Sequence, residues 1–200
     1  MKNMTKQKTM VVASGNAHKL REIAEIFNDY QVLSQKQAGF DVDVEETGKT
    51  FMENALIKAR AASQALQQPV VADDSGLCVD ALGGAPGVYS ARYSGGHGND
   101  KANRELLLKN MQNENNRRAY FVCAMALVFP DGKEVTVEGR TYGNILHEET
   151  GEGGFGYDSL FLSDDLNKSF GLATAEEKNG VSHRFRALQA LREKIEELGI

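Results

Sequence analysis

The order of elements predicts an α/β fold with a mixed sheet, and three features of the 200-residue sequence carry that reading. Strand–helix units come first, two long segments that read as a β-hairpin sit in the middle, and an amphipathic helix closes the chain. A doubly wound parallel sheet would instead alternate strand and helix to the end. With 41% hydrophobic and 26% charged residues and three prolines, the chain has the composition of a folded soluble protein. Its length allows a core without disulfide or metal support.

The elements follow in order. Residues 1–8 are polar and are expected to form a loose extension. From Thr9, TMVVAS reads as a short strand entering a turn at Gly15-Asn16. Behind it, AHKLREIAEIFN places Leu20, Ile23, Ala24 and Phe27 at helical spacing. Thr50 followed by Glu53 has the form of a capping box, and Ala55, Leu56, Ala59, Ala62 and Leu66 line one face of a helix ending near Gln68-Pro69. Val70 to Asp73 reads as a buried strand, after which Ser75-Gly76 is expected to turn the chain. The glycine-rich stretch from Ser75 to Gly98 reads as irregular backbone of the kind on which function often sits. A helix over 101–110 precedes the apolar segment 119–129, a turn at Asp131-Gly132 and an alternating segment from Glu134 to Tyr142. The cluster GEGGFG, Gly151 to Gly156, leads into an expected strand at 157–162. The last helix begins near Ser182 and points Phe185, Leu188, Leu191, Ile195 and Leu198 inward. Residues 1–200 are thus read as a single domain, its lobes sharing one sheet.

Charge and composition exclude several classes. Twenty-three Lys and Arg against twenty-eight Asp and Glu give a net charge of −5, a poor footprint for a protein bound to nucleic acid or an anionic membrane. A phosphate ligand must then be met locally, with a metal. The longest apolar run, Ala119 to Phe129, is far shorter than the roughly 20 residues of a membrane span, and the basic start leads into no signal core. Cys78 and Cys123 form no C-x-x-C pair and are expected to be free core thiols in a reducing cytoplasm.

Four clusters could carry chemistry. SGNAHK, Ser14 to Lys19, combines a helix N-terminus with a hydroxyl, an amide and a lysine, all suited to an oxyanion; it is neither a Walker loop nor a dinucleotide fingerprint. The alternative is a helix capped by Asn16 with Lys19 in solvent. Glu45-Glu46 and Asp73-Asp74 are adjacent like charges, which commonly need a divalent cation or a shifted pKa when buried, and Mg²⁺ suits such hard oxygen ligands. The alternative has Asp73 capping a DSG turn and Asp74 in solvent. FGYD, Phe155 to Asp158, could stack on a base and accept from its ring N–H, unless Phe155 and Tyr157 are ordinary core aromatics. Finally Lys178, His183, Arg184 and Arg186 gather near a helix start, where the dipole disfavours cations, so that an anionic or carbonyl-bearing partner is the more plausible reason.

Taken together, SGNAHK, ENALIKA at Glu53 to Ala59, ADDSGLCVDALGGAPGVYSARYSG at Ala72 to Gly95, GGFGYD and EKNGVSHRFRAL resemble the inosine triphosphate pyrophosphatase family, also called the Ham1 or dITP/XTP pyrophosphatase family. The resemblance runs from residue 10 to about 190. It implies an elongated two-lobed α/β fold with a mixed central sheet flanked by helices, a nucleotide cleft between the lobes, a magnesium requirement and a homodimer. It also implies cleavage of non-canonical purine nucleoside triphosphates to the monophosphate and pyrophosphate. The family's phosphate-binding segment falls on Ser14, Gly15, Asn16, Ala17, His18 and Lys19, with a second lysine at Lys58. Its metal carboxylate falls on Glu45, for which Glu46 competes, and its catalytic acid, also a metal ligand, on Asp74, with Ser75 contacting substrate. Base recognition falls on Phe155, Gly156, Tyr157, Asp158, Lys178, His183 and Arg184. The rivals are a Maf-like pyrophosphatase of different base preference, a non-catalytic nucleotide sensor and a nucleic-acid-binding module. The charge argues against the last, and retention of Asp74 and Glu45 against the sensor.

Overall fold

A computed structural model describes residues 8–96 and 98–199 of the chain. Seven strands form one sheet in the order β2-β1-β3-β4-β5-β6-β7. β1 (Lys8–Val12) pairs in parallel with both β2 (Tyr30–Ser34) and β3 (Val70–Val79), and α1 (Ala17–Ile26) and α2 (Phe51–Leu66) are the crossovers between them. α3 (Asp100–Asn110) precedes β4 (Arg118–Val128), and a turn at 129–133 leads into β5 (Glu134–Ile145). That turn is closed by Phe129 N–H to Lys133 C=O at 2.9 Å. β6 (Phe161–Ser163) and β7 (Lys168–Ser169) add antiparallel, and α4 (Ala175–Asn179) and α5 (His183–Glu197) complete the chain. The sheet is therefore mixed, as the element order predicts. Among the described residues no helix is long and apolar enough to cross a membrane.

The chain forms two compact units. One comprises Met1–Asp74, Ala124–Val137 and Leu188–Ile200, the other Ser75–Cys123 and Glu138–Ala187. Small residues dominate the first core, where Ala55, Ala59 and Ala62 of α2 pack with Val11, Val70 and Ala72. Their spacing makes a narrow stripe that lets helix backbone approach sheet backbone, and the box of Thr50 and Glu53 starts that helix. The second core is aromatic: Phe121, Phe161 and Phe170 pack with Leu77, Leu107 and Leu160. Ring centroids of Phe121 and Phe161 lie 4.7 Å apart.

Four expectations are corrected. The extension 1–8 falls mostly outside the described residues, and its last member, Lys8, already pairs with Tyr30 at the start of β1. Ser75-Gly76 makes no turn: β3 runs through it to Val79, because Leu77, Cys78 and Val79 continue a buried strand that the polar DDS interrupts only in character. In place of a strand over 157–162, a 3₁₀ turn at Asp158–Leu160 precedes the short β6, since the Asp158 side chain bonds backbone three residues back and bends the chain. Leu198 lies past the end of α5 and is 46% exposed, whereas Leu188, Leu191 and Ile195 are buried. β2 and α4 are additions that the sequence reading lacks; both are short and carry little periodicity.

Candidate functional site

In the first unit, five charged side chains gather about β3 and α2: Lys19, Glu46, Lys58, Asp73 and Asp74. Lys19, in the first turn of α1, reaches Asp73 Oδ2 at 2.8 Å, and Asp73 is almost wholly buried. Asn16 does cap α1, its Oδ1 accepting from the N–H groups of His18 and Lys19 at 2.9 and 3.3 Å. Ser14 Oγ accepts from Asn16 N–H at 3.1 Å. The capping alternative is thus right about the amides and wrong about Lys19, which faces the strand. Gly15, Asn16, Ala17 and His18 are exposed, leaving the turn open to a ligand.

Lys58 of α2 donates to the Asp73 carbonyl at 2.7 Å and pairs with Glu46 Oε1 at 2.5 Å. Burial works to strip its proton, yet the carboxylates of Asp73, Glu46 and Asp74 together hold its pKa above the ordinary value. Asp74 is half-buried. Burial raises its pKa and the Glu46 charge adds to this, while Lys58, a hydrogen bond from Asn54 and Lys19 draw it down, and the net shift is upward. Asn54 is completely buried; its Nδ2 donates to Asp74 Oδ2 at 2.9 Å and its Oδ1 accepts from Gly48 N–H at 2.8 Å. That residue escaped the sequence reading, although an asparagine four residues before Lys58 on a helix was a usable signal: both lie on one face. The turn that would have left Asp74 in solvent does not form.

Glu45 is exposed, and it is the Glu46 charge that acts on Asp74. That charge raises the cost of ionising Asp74, which is the condition a divalent cation relieves. Among the described residues no three His, Cys, Asp or Glu side chains gather as a metal cage. Mg²⁺ commonly takes only one or two carboxylates, with substrate phosphates and water completing its shell, so this donor set fits it.

In the second unit, a cavity of about 150 Å³ opens beside β3. It is smaller than the roughly 300–1,000 Å³ of a drug-sized ligand site and suits one part of a ligand. Ser75, Leu77 and Phe121 form part of its wall, with Phe155, Lys178 and Arg184 also lining it. Phe155 is 53% exposed, a costly placement for a core aromatic but a natural one for a stacking platform, and Lys178 Nζ sits 4.4 Å from its ring centre. Tyr157 is the ordinary core aromatic of the pair, its hydroxyl donating to the Ser90 carbonyl at 2.7 Å. Burial, with Tyr93 and Asp100 adding to it, pushes its pKa far up and keeps it neutral.

Asp158 is buried and organises the loop itself: Oδ2 accepts from Phe155 N–H at 2.9 Å and from Lys178 Nζ at 2.5 Å. A Cβ on Gly154, whose φ is +76°, would strike that carboxylate. His183 and Arg184 open α5 and are both buried. The His183 ring stacks on Phe121 at 5.1 Å and 16°, and Arg184 Nη2 donates to Ser75 Oγ at 3.3 Å. Arg186, the remaining cation of that cluster, turns instead to Asp165 at 2.9 Å. A planar slot with buried donors suits a heterocycle carrying a carbonyl.

A family model described as the Ham1 family matches residues 10–194. A dITP/XTP pyrophosphatase of Clostridium perfringens is 46% identical over 198 residues, covering 94% of this chain and 97% of its own length. One from Bacillus cereus is 47% identical over 201 residues, with 97% and 98% covered. Among solved structures, the Ham1 protein of Staphylococcus aureus matches with a TM-score of 0.90 at 44% identity, over 95% of this chain and 99% of that one.

Proposed function

This chain belongs to the Ham1 family, and from that premise we propose that it hydrolyses non-canonical purine nucleoside triphosphates, ITP, dITP and XTP, to the monophosphate and pyrophosphate, clearing them from the nucleotide pool. The observation that carries the reading is the division of chemistry along β3. Carboxylates and lysines gather at Asp73-Asp74, and an aromatic pocket with buried cations begins at Ser75.

Lys19 and Lys58 hold the phosphates, with the open turn from Ser14 to His18 beside Lys19. Asp74 orients water and takes its proton; a carboxyl whose pKa is raised is a stronger base than one in solvent. Water attacks phosphorus, the bond between the α phosphorus and its bridging oxygen to the β breaks, and pyrophosphate leaves. A divalent cation, Mg²⁺ by its hard oxygen donors, supplies charge neutralisation for the triphosphate when bound by Asp74 with Glu46 or Glu45. In the pocket, Phe155 stacks on the base, Lys178 and Asp158 hold its loop, and His183 and Arg184 offer donors to O6. Adenine carries an amino group there and would leave those donors desolvated and unpaired.

A panel of nucleoside triphosphates with Mg²⁺ tests this. Pyrophosphate from ITP, dITP and XTP with little from ATP is expected, whereas release of orthophosphate or equal use of ATP would overturn it. A homodimer in the cytoplasm belongs to the same proposal, on the resemblance of the sequence; light scattering should give twice the 21.9 kDa chain mass.

A further inference from the structure

We propose that Asp100 and Arg104, on one face of α3, are positioning residues for base recognition, holding from both sides the Gly156 backbone that presents Phe155 to the pocket. This rests on the reading of the pocket as a base site. Asp100 Oδ2 accepts from Gly156 N–H at 3.0 Å, and Arg104 Nη1 donates to Gly156 C=O at 2.9 Å. The peptides before and after Gly156 are therefore both pinned by charged partners four residues apart on one helix. Arg104 is itself braced: its Nε lies 3.0 Å from Glu149 Oε2, which accepts from Ser159 Oγ at 3.1 Å.

The same helix face holds another part of the pocket wall. Asn103, almost fully buried, accepts from Ser94 N–H and Oγ at 2.8 Å and donates to Ala91 C=O at 3.3 Å. Ala91, Asp100 and Gly156 all line the cavity.

The hold is needed because packing does not supply it. Gly154 and Gly156 flank Phe155 at φ +76° and +59°, and a Cβ placed on Gly156 would meet nothing within 4 Å. A glycine in open space between two aromatics has wide backbone freedom, so the two hydrogen bonds, with the Asp158 bond to Phe155 N–H, fix the backbone from which the ring projects, and Lys178 lies against its face. A ring ordered in advance spares the base that ordering cost on binding.

The test measures inosine monophosphate binding by calorimetry, inhibition by pyrophosphate, and ITP kinetics in Asp100→Ala, Asp100→Asn and Arg104→Met, with melting curves. Asp100→Ala and Arg104→Met should each weaken the monophosphate about tenfold, the scale of one hydrogen bond to a charged group. KM for ITP should rise in step, with kcat nearly constant and pyrophosphate inhibition unchanged. Asp100→Asn keeps an acceptor for Gly156 N–H and should restore binding. Unchanged monophosphate affinity, equal weakening of monophosphate and pyrophosphate, failure of Asp100→Asn to restore, or loss of cooperative melting in both truncations would each overturn the assignment. A wild-type chain that leaves ITP intact would refute the proposed activity, while monophosphate binding would still read the hold on Gly156.

Discussion

At Asp74 opposing effects meet: burial and the Glu46 charge raise its pKa, Lys58, Asn54 and Lys19 lower it, and the net shift is upward. Asp74→Asn removes the proposed base at nearly constant shape, so kcat for ITP should fall about 100-fold or more. Turnover near the wild-type rate, measured as pyrophosphate release, would remove Asp74 from the chemistry. Its neighbour in charge is Glu46, which lies against Lys58, while Glu45 faces solvent. Glu46→Gln should accordingly raise the Mg²⁺ concentration needed for half-maximal rate more than Glu45→Gln does, and a titration in the opposite order would favour Glu45 as the ligand. On the proposed reading Arg184 donates to O6 of the base. Arg184→Ala removes a charge-assisted bond worth roughly 1.5–3 kcal/mol, so ITP should lose about 10- to 150-fold in kcat/KM and ATP much less. An unchanged ITP-to-ATP ratio in a variant with a normal melt would count against that contact.

At the scale of elements, α2 is tied to the start of β5 by Arg60, whose Nε and Nη2 bond the two oxygens of Glu134 at 2.6 and 2.9 Å. That hydrogen-bonded pair holds the Glu134 pKa below its ordinary value. Because the folded state favours the ionised form, the pair stabilises above the unfolded-state pKa of about 4.3 and the gain is lost as pH falls through the lower folded value. Arg60 is 54% exposed, so solvent screening keeps the effect below about 1 kcal/mol. Arg60→Leu should melt slightly below wild type at pH 7, and the two curves should converge as pH drops below about 4. A gap that persists in acid would mean that Arg60 acts by packing its stem. These elements were legible for a local reason: capping boxes and helical or alternating periodicity need no distant partner, whereas β2 rests on its pairing with β1; α4 does carry a local signal, the capping box of Thr174 and Glu177, but is too short to show periodicity.

For the whole molecule, a net charge of −5 is a poor footprint for a polyanion. A generic oligonucleotide should show no binding even at low salt, where phosphate contacts are strongest. Binding that fades steeply with added salt would contradict this. What the sequence by itself determined is the α/β class, the mixed sheet and the residue types at the site, because periodicity, turn chemistry and ungapped motifs are properties of the chain read locally. Only the tertiary structure decided how those residues are placed. It carried β3 straight through Ser75-Gly76, turned Lys19 onto Asp73, set Glu46 beside Asp74, and spent Asp158 on holding a loop. The reason is physical: burial, charge coupling and hydrogen-bond satisfaction depend on groups far apart in the chain, such as Asn54 and Asp74, and no spacing rule along the sequence encodes which of two adjacent carboxylates faces inward.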